Sequence, residues 1–166
     1  MRAHLVVGAL LILAGWPVTP MAQTFTATSG MPVRIEIIAS CTVSAADLDF
    51  GAYSPGANAP KMGQTTVQLH CSAGAVVEVG LDAGSGSGST KNRRMEAESG
   101  GADRLDYELY QDAARTIHWG DKSGRDTREL LATGAAQAVP VYGQIPAGQN
   151  VGSGSYSDVI TVQVQF

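Results

Sequence analysis

Apolar and polar residues alternate with a period of two along most of this chain, the pattern of half-buried strands. Met31, Val33, Ile35 and Ile37 alternate with Pro32, Arg34, Glu36 and Ile38. Leu48-Asp49-Phe50-Gly51 predicts a short strand, ended by a loop at Ser54-Pro55-Gly56. From residue 65 to 72, Val67, Leu69 and Cys71 share one side, with Thr66, Gln68 and His70 on the other. Residues 76–81 predict a further strand, and Ser72-Ala73-Gly74 predicts a hairpin turn between the two.

Beyond a Gly/Ser tract at 84–90, read as a mobile surface loop, the alternation resumes. A phosphate-binding loop is excluded there, because Lys91 follows Ser89-Thr90 and no apolar helix opens after it. Leu105, Tyr107 and Leu109 oppose Asp106 and Glu108, which puts both carboxylates on a solvated face. Residues 139–145 predict another strand, with Pro140 suited to a sheet edge. The last segment sets Tyr156, Asp158, Ile160, Val162, Val164 and Phe166 against Ser157, Val159, Thr161, Gln163 and Gln165. No segment has a helical period. Seven or so short strands separated by turns predict an all-β sandwich.

Composition agrees with that fold class. Charged residues make up 16% and glycines number 20, against about 25% charged in an ordinary soluble domain. Formal net charge is −4, and Arg93-Arg94 is the only adjacent basic pair, so no basic stripe offers itself to nucleic acid. At the N-terminus, Arg2 precedes an apolar run over 5–14, which Trp16, Pro17 and Pro20 then end. The run is shorter than the ~20 residues of a membrane span. Residues 1–22 are therefore expected to be an export signal cleaved after Ala22.

Export changes the reading of the two cysteines. Cys41 and Cys71 lie in the exported part, where a pair defaults to a disulfide worth ~3–4 kcal/mol in the chain-entropy picture. The competing reading, zinc, has only His70 and His118 to draw on, with no paired-ligand spacing. No serine sits in a nucleophile elbow, and no carboxylate pair stands out from a solvated strand face. The expectation is a protein that is not an enzyme, with no catalytic residue, metal or cofactor. Tyr107, Tyr110, Trp119 and Tyr142 keep open a ligand-binding reading, such as an extracellular carbohydrate-binding module.

An ordered set of short motifs adds a resemblance. Ser40-Cys41-Thr42-Val43, Leu48-Asp49-Phe50-Gly51 and Leu69-His70-Cys71-Ser72 come first. Val79-Gly80-Leu81-Asp82-Ala83-Gly84, Leu105-Asp106-Tyr107-Glu108-Leu109-Tyr110 and Asp112-Ala113-Ala114-Arg115-Thr116 with Trp119-Gly120-Asp121 follow. Val141-Tyr142-Gly143-Gln144-Ile145-Pro146-Ala147-Gly148, Gly154-Ser155-Tyr156-Ser157-Asp158 and Val162-Gln163-Val164-Gln165-Phe166 complete it. Together they resemble the spore coat protein U-like domain family, which includes pilins of archaic chaperone–usher pili.

The resemblance implies an incomplete immunoglobulin-like β-sandwich lacking its last strand, completed by donor-strand complementation. It divides the chain into a signal peptide (1–22), an N-terminal extension or donor strand (23–40) and the pilin domain (41–166). Met31, Val33, Ile35 and Ile37 match the donor strand, and Cys41 and Cys71 match the family's single disulfide. Ile160, Val162, Val164 and Phe166 match the C-terminal strand held by the chaperone. The implied partners are a periplasmic pilus chaperone, an outer-membrane usher and neighbouring pilin subunits in a homo- or hetero-polymer. The implied location is the cell surface, reached through the periplasm, with roles in attachment and biofilm. A secreted coat protein that self-associates without an usher is the alternative assembly.

Alternation alone fits residues 31–38 equally to a first strand packed in its own domain. The other end of the chain favours exchange on physical grounds. A final strand at 160–166 with no charge and no proline lacks the features that normally blunt a free edge.

Overall fold

Among the described residues the chain forms nine strands: β1 (Cys41–Ala45), β2 (Lys61–Cys71), β3 (Val76–Leu81), β4 (Arg93–Ala97), β5 (Arg104–Tyr110), β6 (Arg128–Leu131), β7 (Gln137–Ile145), β8 (Tyr156–Ser157) and β9 (Val162–Gln165). This computed structural model describes residues 28–86 and 88–166, and all regular structure among them is β. The expected export signal lies outside the described residues. The chain divides into two units, 1–36 and 37–166, and every strand belongs to the second.

All pairing is antiparallel. One sheet has six strands in the order β1-β2-β7-β5-β4-β8, and the other has three in the order β6-β3-β9. Period-two alternation decides what faces inward. Val67 and Leu69 of β2, Val139, Val141 and Ile145 of β7, and Leu105, Tyr107 and Leu109 of β5 are buried against Val77, Val79 and Leu81 of β3. Trp119 lies in the same core and donates its indole N–H to the Val79 carbonyl at 2.8 Å. The outer face of β4 and β5 carries Arg94–Asp106 at 3.1 Å and Arg104–Glu96 at 2.9 Å. Partly exposed pairs of this kind add little stability.

Several local expectations change in the folded chain. β2 and β3 do not form a hairpin. Both edges of β2 are taken by β1 and β7, and both edges of β3 by β6 and β9. The turn at 72–75 therefore arches from one sheet to the other, with Gly74 at φ +83 and its N–H bonded to the Ala132 carbonyl. Leu48-Asp49-Phe50 is irregular rather than a strand. Pro140 lies in an internal strand, but β5 pairs β7 only from Tyr142 to Gln144, so residue 140 has a neighbour on one side alone.

The Gly/Ser tract is also tied down where it is described. Ser85 and Gly86 donate to the Asp158 carboxylate, and Ser89 and Asn92 form a bridge. The final alternating segment is not one strand. Its first two residues pair with β4 in the large sheet, Val162–Gln165 pair with β3 in the small one, and residues 158–161 cross between.

Candidate functional site

Two strand edges are left open on one side of the sandwich. β1 pairs only with β2, and β9 pairs only with β3. The two edges lie close together, and between them a groove opens into the core. One cavity, of about 460 Å³, is lined by Ala45, Leu48, Val67, Leu109, Ile160 and Val162 among others. A second, of about 550 Å³, reaches Leu105, Ile145 and Val151. Leu48, Phe50, Met95 and Tyr156 line both, which makes the two cavities parts of one trough.

The trough leaves the last strand half-covered. Val77 and Val79 of neighbouring β3 are fully buried, whereas Ile160, Val162 and Val164 are half-buried and Phe166 is 58% exposed. These side chains alternate inward yet stay partly exposed along the trough. On the other wall, Cys41 and Cys71 stand opposite each other in the β1–β2 ladder and are joined by a disulfide, with Cα atoms 4.0 Å apart. The bond clamps the β1 edge to the sheet and leaves neither thiolate for zinc.

The candidate donor residues have no regular structure. Met31, Val33, Ile35 and Ile37 are each more than 80% exposed. Four large apolar side chains in a row without cover are unusual in a soluble chain.

A polar cluster that the sequence pattern missed supports the groove's far wall. Asp158 accepts hydrogen bonds from Ser85, Gly86, Val159 and Tyr107. Burial, followed by the bond to Asp158, pushes the Tyr107 phenol well above its ordinary range. Asp82 accepts from the Gly84 and Thr161 amides. Partial burial works against its charge, but bonds from Thr161 and Gly84 and the nearby Arg93 outweigh that and hold its carboxyl below the usual value. Arg93 is fully buried and donates to the carbonyls of Asp82, Thr90, Leu81 and Trp119. One signal was available: Asp158 interrupts the apolar face between Tyr156 and Ile160. Nothing in the pattern singles out Arg93.

The aromatic ligand-binding reading does not survive the fold. Trp119 is 0% exposed, Tyr107 3% and Tyr110 5%, so none offers a ring face to a sugar. Tyr142 is partly exposed, and the Arg115 guanidinium lies over its ring at 5.9 Å.

The Spore Coat Protein U domain matches residues 27–163, most of the chain. The chain belongs to the Spore Coat Protein U domain family. Protein U of Myxococcus xanthus, a relative within reach by sequence, is 32% identical over 159 residues, covering 87% of this chain and 88% of that protein. Among solved structures, the CsuC–CsuE chaperone–tip adhesion subunit pre-assembly complex from archaic chaperone-usher Csu pili of Acinetobacter baumannii is similar in fold. The TM-score is 0.55 at 23% identity, over 78% of this chain and 40% of that one. A Spore Coat Protein U domain is a structural unit rather than an enzyme.

Proposed function

We propose that this protein is a fibre subunit of an archaic chaperone–usher pilus and polymerises by donor-strand exchange. The observation that carries this reading is the half-exposed inward face of β9 beside a free β1 edge. A strand laid between them would bond both backbones and send alternate side chains into the trough. Met31, Val33, Ile35 and Ile37 of a neighbouring subunit have the spacing to do so. Covering Val33, Ile35 and Ile37 at ~1.5–3 kcal/mol each yields roughly 5–9 kcal/mol, before the cost of ordering the segment. The contact joins two different surfaces, so it propagates as a filament instead of closing a dimer.

Before assembly, a periplasmic chaperone would lend the missing strand, contacting Ile160, Val162, Val164 and Phe166, and an outer-membrane usher would export the subunit. The assembled fibre would then serve surface attachment and biofilm formation. The alternative, a coat protein that assembles without an usher, draws on the likeness to Protein U.

Deletion of residues 23–38 tests the mechanism. In cells making the chaperone and usher, the wild-type chain should form surface fibres and the deletion should leave only chaperone-bound subunit. Fibres assembled from the deleted chain would sink the proposal. Wild-type assembly without any usher would favour the coat.

A further inference from the structure

The loop at 84–86, Tyr107 of β5 and the end of β8 meet on one carboxylate, at a place strand donation does not itself require. Asp158 stands where the chain leaves β8 for β9. Its Oδ1 accepts from the Ser85 amide at 2.8 Å, the Ser85 hydroxyl at 2.7 Å, the Gly86 amide at 3.1 Å and the Val159 amide at 2.8 Å. Its Oδ2 accepts from the Tyr107 hydroxyl at 2.6 Å. Asp82 fastens the other end of the crossing, its Oδ1 accepting from the Thr161 amide at 2.9 Å and the Gly84 amide at 3.0 Å. Gly84 has φ +82, and any side chain there would collide with the Asp158 carboxylate.

Residues 156–160 and Val162 line the first cavity, so this crossing is one wall of the trough. The apolar side chains of this wall, Tyr156, Ile160 and Val162, gain by folding inward over the uncovered cavity. The bonds to Asp158 and Asp82 act against that collapse, because they draw the crossing toward the 84–86 loop. Buried Arg93 stiffens the same loop by holding the carbonyls of Leu81, Asp82 and Thr90. A site held in its bound shape spends less free energy on ordering at the moment of binding.

We infer that Asp158, with Asp82, is a positioning residue that holds the wall of the trough in its strand-accepting position. The inference rests on the donor-strand reading above and adds to it the device that keeps the acceptor open. It predicts an effect on the rate at which a strand enters, because the occupied trough is kept open by its occupant.

The test mixes the full mature chain, at low concentration, with an excess of labelled peptide of residues 28–40 and follows uptake by stopped-flow anisotropy. Asp158→Ala should slow association about tenfold, the scale of losing charge-assisted bonds, while peptide release stays at the wild-type rate. Asp158→Asn keeps the Oδ1 acceptor and the volume but loses the charge and the acceptor for Tyr107, and should recover uptake only in part, to a rate between Asp158→Ala and wild type. If Asp158→Ala fails to fold, Tyr107→Phe, which keeps the ring in the core, should still slow uptake about threefold. Wild-type association in Asp158→Ala or in Tyr107→Phe would overturn the inference. So would faster release in step with a lower melting temperature, which assigns Asp158 to stability alone. A wild-type chain that takes up no peptide would overturn the donor-strand reading, and this inference with it.

Discussion

Gly63 and Gly143 stand opposite each other across β2 and β7, and the space above both is filled by Leu48 and Phe50. A Cβ on Gly143 would lie 2.6 Å from the Phe50 ring and 2.7 Å from a Leu48 methyl, and one on Gly63 would lie 2.9 Å from each. The irregular segment at 46–50 is therefore seated by packing into a window in the sheet rather than by a strand ladder. Gly143→Ala would press Leu48 and Phe50 out toward the trough they line. We expect a loss of ~1–3 kcal/mol, the usual cost of overpacking, and weaker uptake of a donor peptide. Urea unfolding and peptide titration of the variant check both.

The disulfide closes a 30-residue separation and ties down the most exposed edge strand. Cys41→Ser with Cys71→Ser should lower stability by ~3 kcal/mol. The loss should concentrate at β1, which has one strand neighbour only. Hydrogen exchange should show residues 41–45 opening before β2 in the variant. Equal protection of both strands would count against that local role.

Arg93 is buried without a carboxylate bonded to it and instead satisfies four carbonyls. Arg93→Met fills much of the space but leaves those oxygens without their donor, so we expect at least ~3 kcal/mol of destabilisation. Arg93→Lys should recover only part of it, because an ammonium lacks the planar fork that reaches separate acceptors. Thermal unfolding of the two variants side by side measures the difference.

Stability should fall at high pH through two phenols. Burial and the bond to Asp158 raise Tyr107, and burial and the bond to Glu108 raise Tyr110. Unfolded tyrosines ionise near pH 10. With the folded values higher, the stability these groups contribute is complete below about pH 10 and is lost as pH rises through the folded values. Ultraviolet titration should show Tyr107 and Tyr110 resisting ionisation until the chain unfolds. At the acid end the sign reverses. Asp82, opposed by burial but held by Thr161 and Gly84, and Asp112, held chiefly by the Ile117 amide, are depressed. Their contribution is present above about pH 4 and is lost as pH falls through their folded values.

Local pattern alone made much of this molecule legible. The buried faces of β2, β3, β5 and β7 follow directly from alternation, since a strand's side chains must point to opposite sides. Asp106 and Glu108 fall on the solvated face for the same reason. The cysteine pair followed from compartment and number. By contrast, the hairpin expected at 72–74 failed because alternation says which face is buried and nothing about which sheet a strand joins.

Periodicity and composition by themselves pointed to an all-β chain, to the inward face of several of its strands, and to a final segment, 156–166, whose one charged side chain is Asp158. Tertiary structure alone decided that this segment divides between two sheets, that β1 and β9 leave their edges open side by side, and that Asp158, Asp82 and Arg93 gather where it crosses. The reason is range. Side-chain alternation is set by neighbours two residues apart, whereas Asp158 meets Ser85 and Tyr107 across separations of 73 and 51 residues.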